Sequence, residues 1–193
     1  MLVVLSSSTT TVPDRAYILA PDALLVKNLA ALWAVDPALA AELEGLHPLA
    51  PYDVEASKAG PPTVAVAPAN GGASRILLHS RYQPLDEAGR LINDVDVEGR
   101  FAFYVHGFGL GYHVEQLYER ASAESLIFVF EPDLRLLWTA LRCRDYSKLI
   151  RGRRVLFFAH ADKSELFTRL TPHAALLSVG VESVVHQSGR AHV

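Results

Sequence analysis

The stretch Val105-His106-Gly107-Phe108-Gly109-Leu110-Gly111-Tyr112-His113 leaves an apolar run and enters a segment with helical spacing. Glycines at alternate positions let a backbone turn sharply and approach a ligand closely, and the unpaired N–H groups at a helix N-terminus then face negative charge. Twenty residues after Gly111 stands Glu131, at the end of the next apolar run, within Phe128-Val129-Phe130-Glu131-Pro132-Asp133. A carboxylate in that place accepts from the two hydroxyls of a ribose. Gly107, Gly109, Gly111 and Glu131 are therefore candidate binding residues for an adenosyl or nucleotide ligand. A second assignment stands beside it: the glycines permit tight strand-to-helix packing, and Glu131 caps the following helix together with Asp133.

A dinucleotide fingerprint would place its third glycine at position 112, where this chain has Tyr112. The G-x-G-x-G spacing instead resembles the first motif of S-adenosylmethionine-dependent methyltransferases, which implies S-adenosylmethionine or a nucleotide as ligand. That motif carries an acidic residue two positions before its first glycine, and Val105 occupies the place here.

Other side chains bear on chemistry less specifically. His79-Ser80-Arg81 puts an imidazole, a hydroxyl and a guanidinium together. His79 and Arg81 are candidate anion-binding residues, with the alternative that they hydrogen-bond the glycine turn and the next helix. His106 and His113 flank the glycines, but no H-E-x-x-H or C-x-x-C ligand spacing accompanies them, so no metal is assigned. There is no G-x-S-x-G elbow and no P-loop, and no catalytic residue is assigned. The basic run from Arg142 to Arg154 is either a solvated helix and turn or a patch attracting an anionic sugar nucleotide or an acidic partner.

These residues need elements to hold them. From residue 100 the chain alternates apolar runs (101–105, 126–130, 155–158) with helical sets such as Val114, Leu117, Tyr118, Ala121 and Leu134, Leu137, Trp138, Leu141. Continuous apolar runs suit parallel strands buried on both faces, joined by right-handed crossovers. Asp162-Lys163-Ser164-Glu165 starts a further helix like a capping box, and residues 176–185 supply a final strand. Before residue 99 lie nine of the eleven prolines, which punctuate short elements. Leu24, Leu25, Asn28, Leu29, Leu32 and Trp33 have helical spacing, Asp36-Pro37 opens a second helix that Gly45 stops, and Pro84 opens a third bearing Leu85, Ala88, Leu91 and Ile92 on one face. Three short β-prone stretches (54–57, 63–67, 75–79) include a hairpin turned at Asn70-Gly71-Gly72-Ala73. Trp33 and Trp138 read as core residues.

The fold expected is α/β: a Rossmann-like, mostly parallel sheet in the second half, preceded by a smaller α+β segment with a β-hairpin. The organisation expected is an N-terminal tail (1–20), that α+β segment (21–98) and the Rossmann-like half (99–193), the last two forming one compact unit.

Composition bounds the function. The 193 residues carry 18 Lys plus Arg against 21 Asp plus Glu, too little positive charge for a nucleic-acid binder. One cysteine, Cys143, forms no internal disulfide and fits a reducing compartment. The first residues lack the basic flank and long apolar core of a signal peptide, and no apolar run is long enough to span a membrane. The localisation expected is cytoplasmic.

Four stretches occur together and in a fixed order: Asn28 to Ala40 (NLAALWAVDPALA), Leu78 to Ala88 (LHSRYQPLDEA), His106 to His113 (HGFGLGYH) and Phe128 to Asp133 (FVFEPD). This pattern, over residues 24–188, resembles the N-terminal domain of motility-associated factor (Maf) glycosyltransferases. His79-Ser80-Arg81-Tyr82-Gln83-Pro84 shortly before the glycine loop is its most specific part, with Gln83 where the family has Asp. The resemblance implies a bacterial protein linked to flagellin glycosylation, in which a nonulosonic acid passes from its CMP-activated form to Ser or Thr of flagellin. It implies a nucleotide-sugar ligand and flagellin or its chaperone as partners. It also places the transferase chemistry in a domain following this one, so the implied role of this chain is accessory or docking.

Overall fold

The computed structural model describes residues 21–46, 52–67, 75–160 and 162–186. The expected tail at 1–20 and the turn at 70–73 lie outside them.

Helix α1 (Pro21–Trp33) buries Leu25, Leu29 and Leu32, and α2 (Pro37–Gly45) buries Leu39, Ala40 and Leu43. The Asp36 side chain accepts from the Leu39 N–H (3.2 Å), and Pro37, in the first turn, has no N–H to leave unpaired. Trp33 departs from expectation at 43% exposed. It lies seven residues from Val26, also exposed, so both fall on a stripe beside the buried face.

Strands β1 (Asp53–Ala56), β2 (Pro62–Val66) and β3 (Ile76–Leu77) form an antiparallel sheet in that order, with Val54 opposite Val64 and Ala65 opposite Leu77. Helix α3 (Pro84–Asn93) follows. Gln83 makes no side-chain cap; the Ser80 hydroxyl accepts from the Tyr82 and Gln83 N–H groups instead (3.2 Å each). Ala88 and Ile92 are buried while Leu85, in the first turn, is exposed.

The second half is a four-stranded sheet of β4 (Ala102–His106), β5 (Leu126–Phe130), β6 (Val155–Phe158) and β7 (Val181–Val185), ordered β6-β5-β4-β7 with every pairing parallel. The chain steps outward from β4 to β6 and returns on the other side of β4. The strand order therefore reverses between β4 and β7, the position where open α/β sheets form a crevice at their carboxyl ends. The connections are α4 (Tyr112–Arg120), α5 (Leu134–Cys143), α6 (Ser147–Arg151), α7 (Lys163–Leu170), a 3-10 turn (Thr171–His173) and α8 (Ala174–Val179). The strand expected over 176–185 is thus divided. Residues 174–179 continue a helix, Gly180 breaks it at φ +129°, and β7 starts at Val181.

One apolar cluster joins the two parts of the chain. Phe103, Val105, Ile127, Val129 and Phe157 point from one sheet face onto residues of α1, α4, α5 and α6, among them Leu29, Leu117, Leu137 and Ile150. Burial of each such side chain contributes about 1.5–3 kcal/mol. On the other face Ala102, Phe128 and Phe158 pack beneath Leu166, Leu170 and Leu177 of α7 and α8.

Candidate functional site

The glycine loop runs from the carboxyl end of β4 to the first turn of α4, and Gly107, Gly109 and Gly111 hold φ of +88°, +53° and +74°. Only glycine adopts such angles without strain. Space is restricted as well: a Cβ on Gly109 would lie 2.8 Å from His79 Nε2 and 2.9 Å from His186 Cε1, and one on Gly111 would lie 2.7 Å from the Tyr146 hydroxyl. Gly109 and Gly111 are thus fixed by neighbouring side chains already seated against the loop.

Glu131 sits one residue past β5, 1% exposed, beneath the loop. One carboxylate oxygen accepts from the Phe108 N–H (2.8 Å) and the Gly109 N–H (3.4 Å), and the other accepts from the Asp133 N–H (3.1 Å). The Leu110 N–H donates to His79 Nε2 (2.8 Å). The Gly107 N–H goes to the Phe130 carbonyl and the Gly111 N–H to that of Phe108, both at 2.8 Å. All five amides of the loop donate to groups of the protein. A buried carboxylate thus takes up backbone amides of the kind that hold a phosphate in a nucleotide-binding turn. Glu131 also belongs to the α5 entrance, whose N-cap Asp133 accepts from the Leu136 N–H (3.0 Å) and from the Tyr52 hydroxyl (2.7 Å).

Three imidazoles meet near the carboxyl ends of β4 and β7. His79 comes from the segment before α3, His113 from α4, and His186 from the residue after β7; all are buried. The rings of His113 and His186 stack (4.3 Å between centroids, 5° between planes), and His186 lies 4.7 Å from His79. Their tautomers follow from their partners. A carbonyl only accepts, so the contact between His113 Nε2 and the Gly107 carbonyl (2.9 Å) places the His113 proton on Nε2. Nδ1 of that ring is then a bare acceptor, buried without a hydrogen-bond partner among the described residues. His79 Nε2 receives an N–H and is unprotonated. Burial is the main reason that His79 is pushed down to about 3 and His113 to about 4; the neighbouring His113 and Arg144 add to it for His79, and the Gly107 hydrogen bond opposes it for His113. His186 is held well below the ordinary range by burial and then by the other two rings.

The structure brings His79, Gly107, Gly109, Gly111 and Glu131 together. Arg81 is elsewhere: it is exposed, 3.8 Å from Glu55. His106, though adjacent to the loop, is exposed and stacks on Phe130, on the opposite sheet face from His113 by strand alternation. Much of the basic run is committed: Arg142 pairs with Asp22 (2.8 Å), Arg144 pairs with Glu115 and lies 4.7 Å over the Tyr112 ring, and Arg154 lies 4.0 Å over the Tyr118 ring. The sequence reading did not single out His186, whose place one residue beyond a buried parallel strand puts it at the carboxyl edge of the sheet. Nor did it assign Tyr146, whose hydroxyl donates to the Leu110 carbonyl. Among the described residues no helix is long and apolar enough to cross a membrane.

A solved structure, that of the MAf glycosyltransferase from Magnetospirillum magneticum AMB-1, matches 80% of this chain and 30% of its own, with a TM-score of 0.57 and 14% identity, a likeness of fold. A curated protein of Treponema pallidum (strain Nichols), itself described as an uncharacterized protein, is 30% identical over 103 residues, which is 49% of this chain and 35% of that protein. The chain spans about a third of the length of each. Residues 75–176, more than half of the chain, match the family described as the glycosyltransferase Maf N-terminal domain. This chain belongs to the Maf glycosyltransferase N-terminal domain family.

Proposed function

We propose that this domain is the non-catalytic N-terminal module of a Maf-type glycosyltransferase acting in the cytoplasm on flagellin, with a CMP-activated nonulosonic acid as the donor. Its own part is structural and in docking flagellin or its chaperone. The observation that carries this reading is the use of the loop's amides. Each N–H from Gly107 to Gly111 donates within the protein, two of them to Glu131 and one to His79, which leaves none of these five to grip a phosphate and engages Glu131 with the loop in place of a ribose. Family membership supports the link to glycosyl transfer. The substrate and partner are inferred from the family.

The test pairs two measurements on the purified domain. Calorimetric titration with S-adenosylmethionine, S-adenosylhomocysteine and CMP is expected to give no binding heat, while immobilised flagellin or its chaperone is expected to retain the domain. Micromolar binding of S-adenosylmethionine, abolished in Glu131→Ala, would overturn this reading in favour of a methyltransferase-like enzyme. CMP binding would overturn it in favour of a nucleotide-sugar site on the loop.

A further inference from the structure

We propose that the open edge of β6 is a docking groove that receives an extended polypeptide segment as a fifth strand, a segment of alternating apolar residues that carries a carboxylate. This goes beyond the docking role above, because it names the surface and the chemistry of the segment, which a separate partner protein supplies.

Strand β6 ends the sheet on one side among the described strands. Its ladder with β5 has a fixed phase: the Ile127 N–H donates to the Arg154 carbonyl (2.7 Å) and the Glu131 N–H to the Phe158 carbonyl (3.0 Å), with Ile127 opposite Val155 and Val129 opposite Phe157. In a parallel ladder, hydrogen bonding to one neighbour alternates along the strand. Residues 154, 156 and 158 therefore address β5, and the peptide groups of Val155 and Phe157 point the other way. They present two N–H and two C=O groups along an edge that natural sheets ordinarily cover or blunt with charge.

What lies along that edge is a cavity of about 370 Å³ bordered by Val155, Leu156 and Phe157. One wall is the end of α1 and the start of α2, through Leu32, Val35 and Pro37; the opposite wall holds Arg169 of α7 and His173. An added strand would meet an apolar wall on one face and Arg169 and His173 on the other, which suits alternating apolar and polar residues. Four residues of β6 span about 13 Å, enough to seat four to six residues of a partner.

Charge at the rim selects the partner. Asp36 lies in the cavity wall, and Arg169 already pairs with it (2.9 Å) and with Glu165 (3.1 Å). Arg153, exposed at the mouth, instead donates to the neutral carbonyl of Ala34 (3.1 Å) and retains its full charge. A carboxylate on the incoming segment meets that guanidinium.

The probe is a hexapeptide of alternating valine and threonine with one glutamate, capped at both ends, titrated to millimolar concentration by calorimetry and by amide exchange. The Val155 and Phe157 amides are expected to exchange readily in the free protein and to slow at least about tenfold with peptide. A peptide N-methylated on alternate residues, unable to complete the ladder, is expected to bind at least about tenfold more weakly. Val155→Pro removes one outward N–H without touching the β5 ladder and is expected to have a similar effect; Arg153→Glu should weaken the glutamate peptide and favour its lysine counterpart. Slow exchange of both amides in the free protein, unchanged exchange at millimolar peptide, or equal binding of the N-methylated peptide would each overturn the proposal. The N-methyl comparison uses the unmodified protein, so it stands even where a variant fails to fold.

Discussion

Glu131 accepts the Phe108 N–H at 2.8 Å, so the carboxylate that could have held a ribose holds the protein's own glycine loop. This bond joins the loop after β4 to the residue after β5. Glu131→Gln should therefore lower stability. Amide donors meet both carboxylate oxygens, whereas glutamine offers one acceptor and turns an N–H₂ against the rest. A loss of about 2 kcal/mol or more is expected in urea denaturation.

Gly109 and Gly99 separate backbone strain from crowding. Both hold positive φ, +53° and +66°, but a Cβ at Gly99 meets open space while one at Gly109 meets His79 and His186. Gly99→Ala should cost about 1–2 kcal/mol. Gly109→Ala should cost clearly more, by about 1–3 kcal/mol of overpacking. Thermal or chemical unfolding of the two variants checks the order.

The buried histidines set a pH dependence. Burial pushes His79 down to about 3 and His113 to about 4 in the folded protein, against about 6.5 for an imidazole in the unfolded chain. Between those values the unfolded chain binds more protons, so stability falls as pH drops from about 6.5 toward 4 and is fully present above 6.5. His79→Gln keeps an acceptor for the Leu110 N–H and removes one titrating ring. Urea midpoints measured across this range should show a shallower slope in that variant.

Asn28 ties α1 to the end of α5 and the turn before α6. Its side-chain amide donates to the Leu141 and Arg144 carbonyls (2.8 and 2.7 Å), and its oxygen accepts from the Tyr146 N–H (2.8 Å). Asn28→Leu leaves those three backbone groups unpaired in a buried place. A loss of about 3 kcal/mol or more is expected in the same denaturation assay.

Much of this architecture could be read from residue spacing. The three apolar runs became β4, β5 and β6, because uninterrupted apolar strands need cover on both faces, and the Asp36-Pro37 and Asp162 helix starts work through local hydrogen bonds that sequence alone encodes. Residues 174–179 were less legible: a short apolar stretch suits helix or strand equally, and the choice fell to the break at Gly180. The loop itself was read correctly as a β-to-α turn with Glu131 across from it. Which donors Glu131 would satisfy was not legible, since that depends on the approach of two strand tips, and the partnership of His79 with His186 joins residues 107 positions apart. Periodicity reports which face is buried; it does not report what a buried polar group pairs with.

The central claim is that the amides of Phe108, Gly109 and Leu110 are already satisfied by Glu131 and His79. Backbone amide resonances of these three residues, followed by NMR while S-adenosylhomocysteine and then CMP are added, test it most directly. The account predicts that the three peaks stay in place to millimolar ligand; saturable shifts at all three with micromolar affinity would contradict it.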